Sequence, residues 1–212
     1  MAGLITYTVT AAKQQIRTPP RPDVRYTRPI SFLAVMCAFA ITYQAGAMSD
    51  VSEAEAELFM SEFEKLVEGI DALGIFTHNT IIALPMFLPG AGLAWGFLSS
   101  WSTGFAFAAI STSMPELVEI SPLSILFLSP FGLMEICAYS LAMSRSLLMV
   151  VTLVRRGSGS SSSTPFLSAH LRPALLEAGV VVALLLAGGY VEFFLLEQAQ
   201  ELFPADAPLP GT

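Results

Sequence analysis

Long apolar stretches separated by short polar segments dominate the pattern of this chain. A helix needs about 20 apolar residues to cross roughly 30 Å of hydrocarbon. Five stretches reach or approach that length: residues 30–48, 75–89, 91–113, 131–154 (with an apolar lead-in from Pro122) and 174–197. The pattern predicts an all-α polytopic membrane helix bundle with about five transmembrane helices.

A cleavable signal peptide is the alternative for the first stretch, because Ala45-Gly46-Ala47 resembles a signal peptidase site. The polar region before the stretch has 29 residues, however, and the apolar run Ile30–Ala47 is longer than the hydrophobic region of most signals. We therefore interpret it as a retained first membrane helix.

The second stretch is the shortest, and it contains Pro85 and Pro89 followed by Gly90. Proline removes a helical hydrogen bond and crowds the preceding turn. We therefore expect this helix to be tilted or broken, and to join the third stretch through a tight Pro-Gly turn.

Residues 50–73 show apolar positions at helical spacing among many acids, which predicts one amphipathic interfacial helix. Asp50 or Ser52 can cap its start, and Glu53 and Glu55 suit the positive end of its dipole. Its apolar side is expected to lie in the outer membrane interface. A helix that only connects two spans and packs on the bundle explains the pattern at least as well as a partner-binding surface.

The charges between the apolar stretches predict their orientation, because basic segments stay on the cytoplasmic side. The segment 49–74 has eight acids and a single base, Lys65. The basic clusters precede the first stretch or flank the loop between the fourth and fifth: Lys13, Arg17, Arg21, Arg25, Arg28, Arg155, Arg156 and Arg172. Five crossings with a cytoplasmic N-terminus and an external C-terminus place every basic cluster inside and the acidic segment outside.

This topology divides the chain into three regions of a multi-pass protein of the cell membrane. Residues 1–29 form a basic cytoplasmic segment, residues 30–198 form the membrane domain, and residues 199–212 form an external proline-rich tail. Within the membrane domain, the external amphipathic helix covers about residues 50–73. A flexible Gly/Ser linker covers about residues 155–172 on the cytoplasmic side.

The composition agrees with a membrane protein and excludes other classes. Of 212 residues, 54% are hydrophobic and 13% charged, whereas about a quarter of the residues in a soluble domain are charged. A net charge of −7 without a basic face argues against nucleic acid as a partner. Cys37 and Cys137 lie in apolar stretches, where small packing residues are a better interpretation than a disulfide or a metal pair.

The third stretch carries a small residue at every fourth position: Gly92, Gly96, Ser100, Gly104 and Ala108. Small residues on one helix face let a neighbouring backbone approach closely, and this packing replaces the hydrophobic force that lipid abolishes. We predict a helix-packing seam rather than a pore lining. The partner helix can belong to the same chain or to a second copy.

Among the polar residues of the predicted spans, one set is singled out for its possible function: His78, Asn79, Glu135 and Glu192. Because a charged side chain at the centre of a membrane helix costs about 2.5–3.5 kcal/mol on insertion scales, such groups usually face a partner inside the bundle. In the five-crossing topology these four could form one intramembrane polar cluster. It could lock the helices together, bind a proton or cation on a transport path, or support catalysis or metal binding. Structural locking is the favoured interpretation, and transport is the next.

Arg145 lies about two turns from the cytoplasmic end of the fourth helix. We expect its long side chain to extend toward that interface. An ion pair with a buried carboxylate is the alternative.

Signatures of enzymes are missing from the sequence. It contains no HExxH, GxSxG or P-loop motif. His78 falls in the membrane and His170 in the cytoplasmic loop, so no histidine pair has the spacing of metal ligands. We therefore expect no enzymatic activity, no metal site and no cofactor.

Three short motifs follow one another along the apolar stretches. IFTHNT at 75–80 opens the second, LSPFGLME at 128–135 opens the fourth, and GYVE at 189–192 lies late in the fifth. This order resembles the stage II sporulation protein M family of integral membrane proteins of bacteria and archaea. The resemblance spans roughly residues 30–198.

The family's motifs can be matched residue by residue. Asn79 matches an F-x-x-N element, Pro130, Gly132 and Glu135 match a Pro-His-Gly-x-x-Glu element, and Glu192 matches a glutamate late in the last helix. Two positions depart from the pattern: Phe131 replaces the histidine, and Thr103 stands where an asparagine often precedes the glycine. If the histidine serves proton transfer or metal binding in the family, its loss here favours scaffolding.

The resemblance implies a role in a membrane complex, because the namesake works with a peptidoglycan hydrolase in spore-forming bacteria. We predict a non-catalytic integral membrane subunit or scaffold of a membrane protein complex. Its expected partners are the lipid bilayer and other membrane proteins or further copies of the chain. The alternative is a transporter or permease-like subunit with an intramembrane carboxylate site for a proton or cation.

Overall fold

The computed structural model describes residues 24–114, 117, 119–157 and 166–202. Within these residues the chain forms helices and no strand, which confirms the predicted all-α fold. The seven α-helices are α1 (Val24–Ala47), α2 (Glu53–Val67), α3 (Ala72–Ala83), α4 (Ala91–Ser113), α5 (Pro122–Leu128), α6 (Pro130–Gly157) and α7 (Phe166–Leu202). A 3₁₀ turn, Leu84–Phe87, continues α3.

Four of these helices, α1, α4, α6 and α7, are long and apolar enough to cross a membrane. A fifth crossing is available if α2 and α3, which meet at an angle of 116°, count as one bent span. Four to five crossings agree with the predicted number. If α3 crosses, it is the shortest crossing, because the helix and its 3₁₀ turn together cover only residues 72–87.

The predicted external helix over 50–73 consists of two elements. Ser52 begins α2 with a capping box, in which its hydroxyl accepts from the Glu55 N–H and the Glu55 carboxylate accepts from the Ser52 N–H. Gly69, with a φ of +69°, lies in the break after α2. Asp71 then caps α3 by accepting from the Gly74 N–H at 2.7 Å.

The predicted turn between the second and third stretches is held by α6. Gly90 adopts a φ of +76°, a conformation that L side chains rarely adopt. The Ser146 hydroxyl accepts from the Gly90 N–H at 3.1 Å and donates to the Leu88 carbonyl at 2.6 Å. One serine therefore fastens this end of α3 to α6.

The apolar lead-in to the fourth stretch is a separate short helix. Ser129 has extended backbone geometry between α5 and α6, and Pro130 occupies the first helical position of α6, where its fixed φ is compatible with a helix. The Ser129 hydroxyl donates to the Ile125 carbonyl at 2.5 Å and accepts from the Gly132 N–H at 3.1 Å. This corner places Glu135 in the second turn of α6.

Helices α6 and α7 extend beyond the predicted spans. The ends of the predicted linker over 155–172 are helical, because α6 continues to Gly157 and α7 starts at Phe166. The serine-rich centre of that linker lies outside the described residues. Most of the predicted N-terminal segment and of the C-terminal tail lies outside them as well.

The core of the bundle lies where α1, α3, α6 and α7 meet, with α4 packed along α1. The largest fully buried apolar side chains are Met86, Ile136, Met143, Leu185 and Val181. Large apolar side chains also cover the outside: Ile41 on α1 is 71% exposed and Leu176 on α7 is 66% exposed. Such a surface is expected for a bundle that is solvated by lipid rather than by water.

Candidate functional site

Part of the predicted polar cluster forms between α3 and α6. Asn79 is buried, and its side-chain amide donates to Oε1 of the half-buried Glu135 at 2.5 Å. Glu192 on α7, also half-buried, lies close enough to Glu135 for the two carboxyl groups to interact electrostatically. Three helices therefore contribute to one group of polar side chains.

Tyr139 belongs to the same group. It lies one helical turn after Glu135 on α6, is buried, and is within electrostatic range of both carboxyl groups. Its ring packs against Phe39 of α1, with the ring centroids 5.9 Å apart. Sequence reasoning missed Tyr139, although its i+4 spacing from Glu135 places both on one face of α6. Asn79, Glu135, Tyr139 and Glu192 together are named the outer polar cluster, after the side on which the predicted topology places them.

His78 does not join the outer polar cluster. It is exposed, and it makes no hydrogen bond or ion pair within the part of the chain that the structure describes. Successive residues of an α-helix are rotated by about 100°. Because Asn79 faces α6, the preceding residue is turned away from the bundle.

The matched family residues Pro130 and Gly132 build the corner before Glu135. Pro130 begins α6. A Cβ atom on Gly132 would lie 2.6 Å from the Ser129 hydroxyl and 2.7 Å from the Ile125 carbonyl. Only glycine therefore allows α5 to approach the first turn of α6 this closely. These residues fix where α6 begins and thereby position the glutamate.

The small residues of α4 are all buried, and their neighbours belong to the same chain. Gly104 lies against the backbone of Tyr43 and Ala47 in α1, and Gly92 against the backbone of Met86. The Ser100 hydroxyl donates to the Phe39 carbonyl of α1 at 2.7 Å. The other two members, Gly96 and Ala108, lie against the Met143 side chain and in a small apolar cluster with α2.

A second polar network, which the sequence analysis did not identify, joins α1, α6 and α7. Glu177 of α7 accepts from Arg28 Nε at 2.9 Å and from Arg145 Nε at 2.7 Å. The Nη2 groups of both arginines also bind this carboxylate. Arg28 further donates to the Ser144 hydroxyl at 2.6 Å and to the Leu141 carbonyl at 3.1 Å. Arg28, Ser144, Arg145 and Glu177 are named the inner ionic network, after the side on which the predicted topology places them.

The burial of the inner ionic network decides how strongly it is expected to affect the stability of the bundle. The side chains of Arg28, Arg145 and Glu177 are 25%, 10% and 17% exposed, so they differ from exposed ion pairs, which contribute about 0–1 kcal/mol. The expectation that Arg145 extends to the interface is wrong, and the alternative, an ion pair with a buried carboxylate, is what the structure contains. The sequence signal for this ion pair was the distance of both residues from the ends of their helices. Arg145 lies twelve residues before the end of α6, and Glu177 lies eleven residues after the start of the antiparallel α7.

The two polar groups are separate sites. Glu135 and Arg145 are ten residues apart on α6, about 15 Å along the helix axis. Among the described residues, one shallow surface depression lies along α2 and another is lined mainly by α1, and neither is lined by a member of either group. No group of three or more histidines, cysteines or acids within the described ranges could hold a metal ion.

The fold and these two groups define an α-helical polytopic membrane protein with its polar contacts inside the bundle. A family model for Stage II sporulation protein M matches residues 30–195. The chain belongs to this family, which confirms the resemblance, and the family is not known as one of enzymes. No curated protein and no solved structure matches the chain.

Proposed function

We propose that this chain is a non-catalytic integral membrane subunit, a scaffold that holds a fixed helical arrangement for other membrane proteins. One observation carries the proposal: each crossing helix is tied to another by a polar contact inside the bundle. The outer polar cluster ties α3 to α6, and the inner ionic network ties α1 and α6 to α7. The Ser100 hydroxyl ties α4 to α1.

The magnitudes support a rigid bundle. Hydrogen bonds between membrane helices average about 0.6 kcal/mol, whereas removing one partner of a buried ion pair costs about 3–5 kcal/mol. Loss of one member of the inner ionic network is therefore expected to disturb the packing of α1, α6 and α7 more than loss of a single interhelical hydrogen bond. A bundle fixed in this way suits a subunit that presents a constant surface to a partner. It suits a transporter, which must alternate between two states, less well.

Helix α2 is the surface that we propose for contact with a partner. It packs on α4 through Ala56 and Phe59, while Leu58 and Leu66 are 64% and 74% exposed among acidic residues. The capping box at Ser52 fixes its first turn. A structured helix with exposed leucines and a negative face offers both apolar and charged contacts to a neighbouring protein.

Site-specific photo-crosslinking in cells tests this function. A photoreactive amino acid at position 58 or 66 should give adducts with another protein, because both side chains leave the bundle surface. The matched control is Leu98 of α4, which is 55% exposed on a helix long enough to cross the membrane and should react with lipid. The scaffold proposal fails if positions 58 and 66 give lipid adducts only and the solubilised chain purifies alone as a monodisperse monomer.

Transport of a proton or cation is the second candidate, because Glu135 and Glu192 lie within electrostatic range of each other between helices. The buried hydroxyls of Thr80 and Ser140, on α3 and α6, have no hydrogen-bond partner within the described part of the chain. Buried hydroxyls of this kind commonly bind ordered water. Water bound to these hydroxyls, on the two helices that carry Asn79 and Glu135, would be one step of a proton or cation path.

Flux measurements in proteoliposomes separate the two candidates. If the chain transports protons or cations, Glu135→Gln and Glu192→Gln should abolish the flux. Glu197→Gln, a matched change at an exposed position of α7, should leave it unchanged. Equal flux in all three variants, or none from the wild type for any tested ion, would remove transport from consideration.

A further inference from the structure

The inner ionic network has more positive than negative charge. It contains two guanidinium groups and one carboxylate, and Glu177 already binds both arginines. The Arg145 residue is only 9% exposed, yet its described hydrogen bonds use Nε and Nη2 alone. Its Nη1 group therefore has donors left for an anion at a largely buried position.

Among the residues that the structure describes, the surroundings of Arg145 add positive rather than negative charge. Arg155 and Arg172 lie at the same end of α6 and α7 as the inner ionic network, and both are exposed. Glu177 is the one acid at this end among the residues that the structure describes. An excess positive charge in a medium of low dielectric constant is strongly stabilised by a counter-anion.

We propose that the inner ionic network binds the phosphate of an anionic glycerophospholipid in the adjoining leaflet. Guanidinium groups bind phosphate oxygens in a bidentate manner, and basic pockets between membrane helices are known sites for anionic headgroups. The apolar neighbours of Glu177 favour a lipid over a free anion. Leu175, Leu176 and Val180 of α7 are 64%, 66% and 50% exposed, and they offer a surface for the acyl chains.

The test is a titration of the purified full chain in neutral detergent with short-chain phosphatidylglycerol. Short-chain phosphatidylcholine and inorganic phosphate are titrated in parallel, and thermal unfolding is followed. Phosphatidylglycerol should raise the melting temperature, because a ligand of the folded state stabilises it, whereas the two controls should not. Loss of the charge-assisted contact in Arg145→Gln should weaken the apparent affinity at least about tenfold. Arg155→Gln, the same charge change at an exposed position of α6, should weaken it much less.

Native mass spectrometry of the wild type adds a measurement that needs no variant. Extraction from nanodiscs with equal phosphatidylglycerol and phosphatidylcholine should leave phosphatidylglycerol bound preferentially. The proposal is overturned if neither lipid is preferred, or if Arg145→Gln and Arg155→Gln lose affinity equally. It is also overturned if inorganic phosphate stabilises as strongly as the lipid, since the ligand would then be a free anion. If Arg145→Gln does not fold, the wild-type preference and Arg145→Lys, which keeps the charge without the planar fork, decide the matter.

Discussion

At the scale of single residues, the hydrogen bond between Asn79 and Glu135 joins α3 to α6 inside the bundle, where Asn79 is buried and Glu135 half-buried. Asn79→Leu should destabilise the bundle by about 1–3 kcal/mol, because the carboxyl group of Glu135 loses its donor. Glu135→Leu should have an effect of similar size, since it leaves the Asn79 amide without an acceptor. Unfolding in mixed micelles, followed by circular dichroism, measures both changes.

The double variant Asn79→Leu with Glu135→Leu is the control for this pair. If the two side chains stabilise the bundle through each other, the double variant should be more stable than the sum of the single effects predicts, by at least about 0.5 kcal/mol. Additive effects within that margin would show that the 2.5 Å contact contributes nothing specific.

The inner ionic network makes a stronger prediction at the same scale. Glu177→Gln should destabilise the chain by about 3–5 kcal/mol, because it leaves two guanidinium groups facing each other without their anion. Glu197→Gln is the matched control on α7, at an exposed position, and it should change stability little. Equal unfolding transitions for the two variants would contradict the assignment of Glu177 as the centre of the network.

The capping box of α2 predicts a dependence on pH. The Ser52 hydroxyl and, secondly, the Ser52 backbone N–H hold the pKa of Glu55 below its ordinary value. A lowered pKa in the folded state contributes stability above the unfolded-state pKa of about 4.3, and this stability is lost as the pH falls through the folded-state pKa. The protection of the first amides of α2 against hydrogen exchange should therefore fall on acidification below about pH 4. Glu55→Gln should remove this dependence, whereas Glu57→Gln, a matched change within the same helix, should retain it.

At the scale of helices, the close packing of α4 on α1 depends on Gly104. A methyl group there would meet the Tyr43 carbonyl and the Ala47 nitrogen, which are backbone atoms and cannot move without α1. Gly104→Ala should therefore cost about 1–3 kcal/mol through overpacking. Gly179→Ala on α7, where nothing lies within 4 Å, should be neutral or stabilising by about 0.5–1 kcal/mol. The contribution of the seam would be refuted by equal melting temperatures of the two variants.

Helices also show what the sequence can and cannot predict. The predicted bounds of the third stretch, 91–113, equal those of α4 because the Pro-Gly turn marks its start and polar residues mark its end. The predicted start of the fourth stretch, 131, lies one residue after the start of α6, but hydropathy did not show that the apolar lead-in from Pro122 is a separate helix, α5. Hydropathy also could not separate His78 from Asn79, which differ only by one step of helical rotation. Sequence reasoning missed Glu177, because its pairing with Arg145 can be inferred only when the ends of both α6 and α7 are known.

At the scale of the whole molecule, the number of crossings decides how the charges are distributed. Between α2 and the loop after α6 the chain passes through α3, α4 and α6. If α3 crosses, the acidic α2 and the basic loop lie on opposite sides, as the positive-inside rule requires. If α3 does not cross, they lie on the same side and the rule is broken. The short α3 with its 3₁₀ turn is therefore the element on which the topology depends.

Cysteine labelling in intact cells tests this topology. Cys37 and Cys137 are free thiols and are first changed to serine, after which single cysteines are introduced as Ser61→Cys on the exposed side of α2 and Ser160→Cys in the linker. A membrane-impermeant maleimide should label position 61 but not position 160, and permeabilised cells should give label at both. Label at both positions in intact cells would mean that α3 does not cross, and label at position 160 alone would reverse the orientation. Opposite sides for these two positions require an odd number of crossings between them, which among the described helices only a crossing by α3 provides.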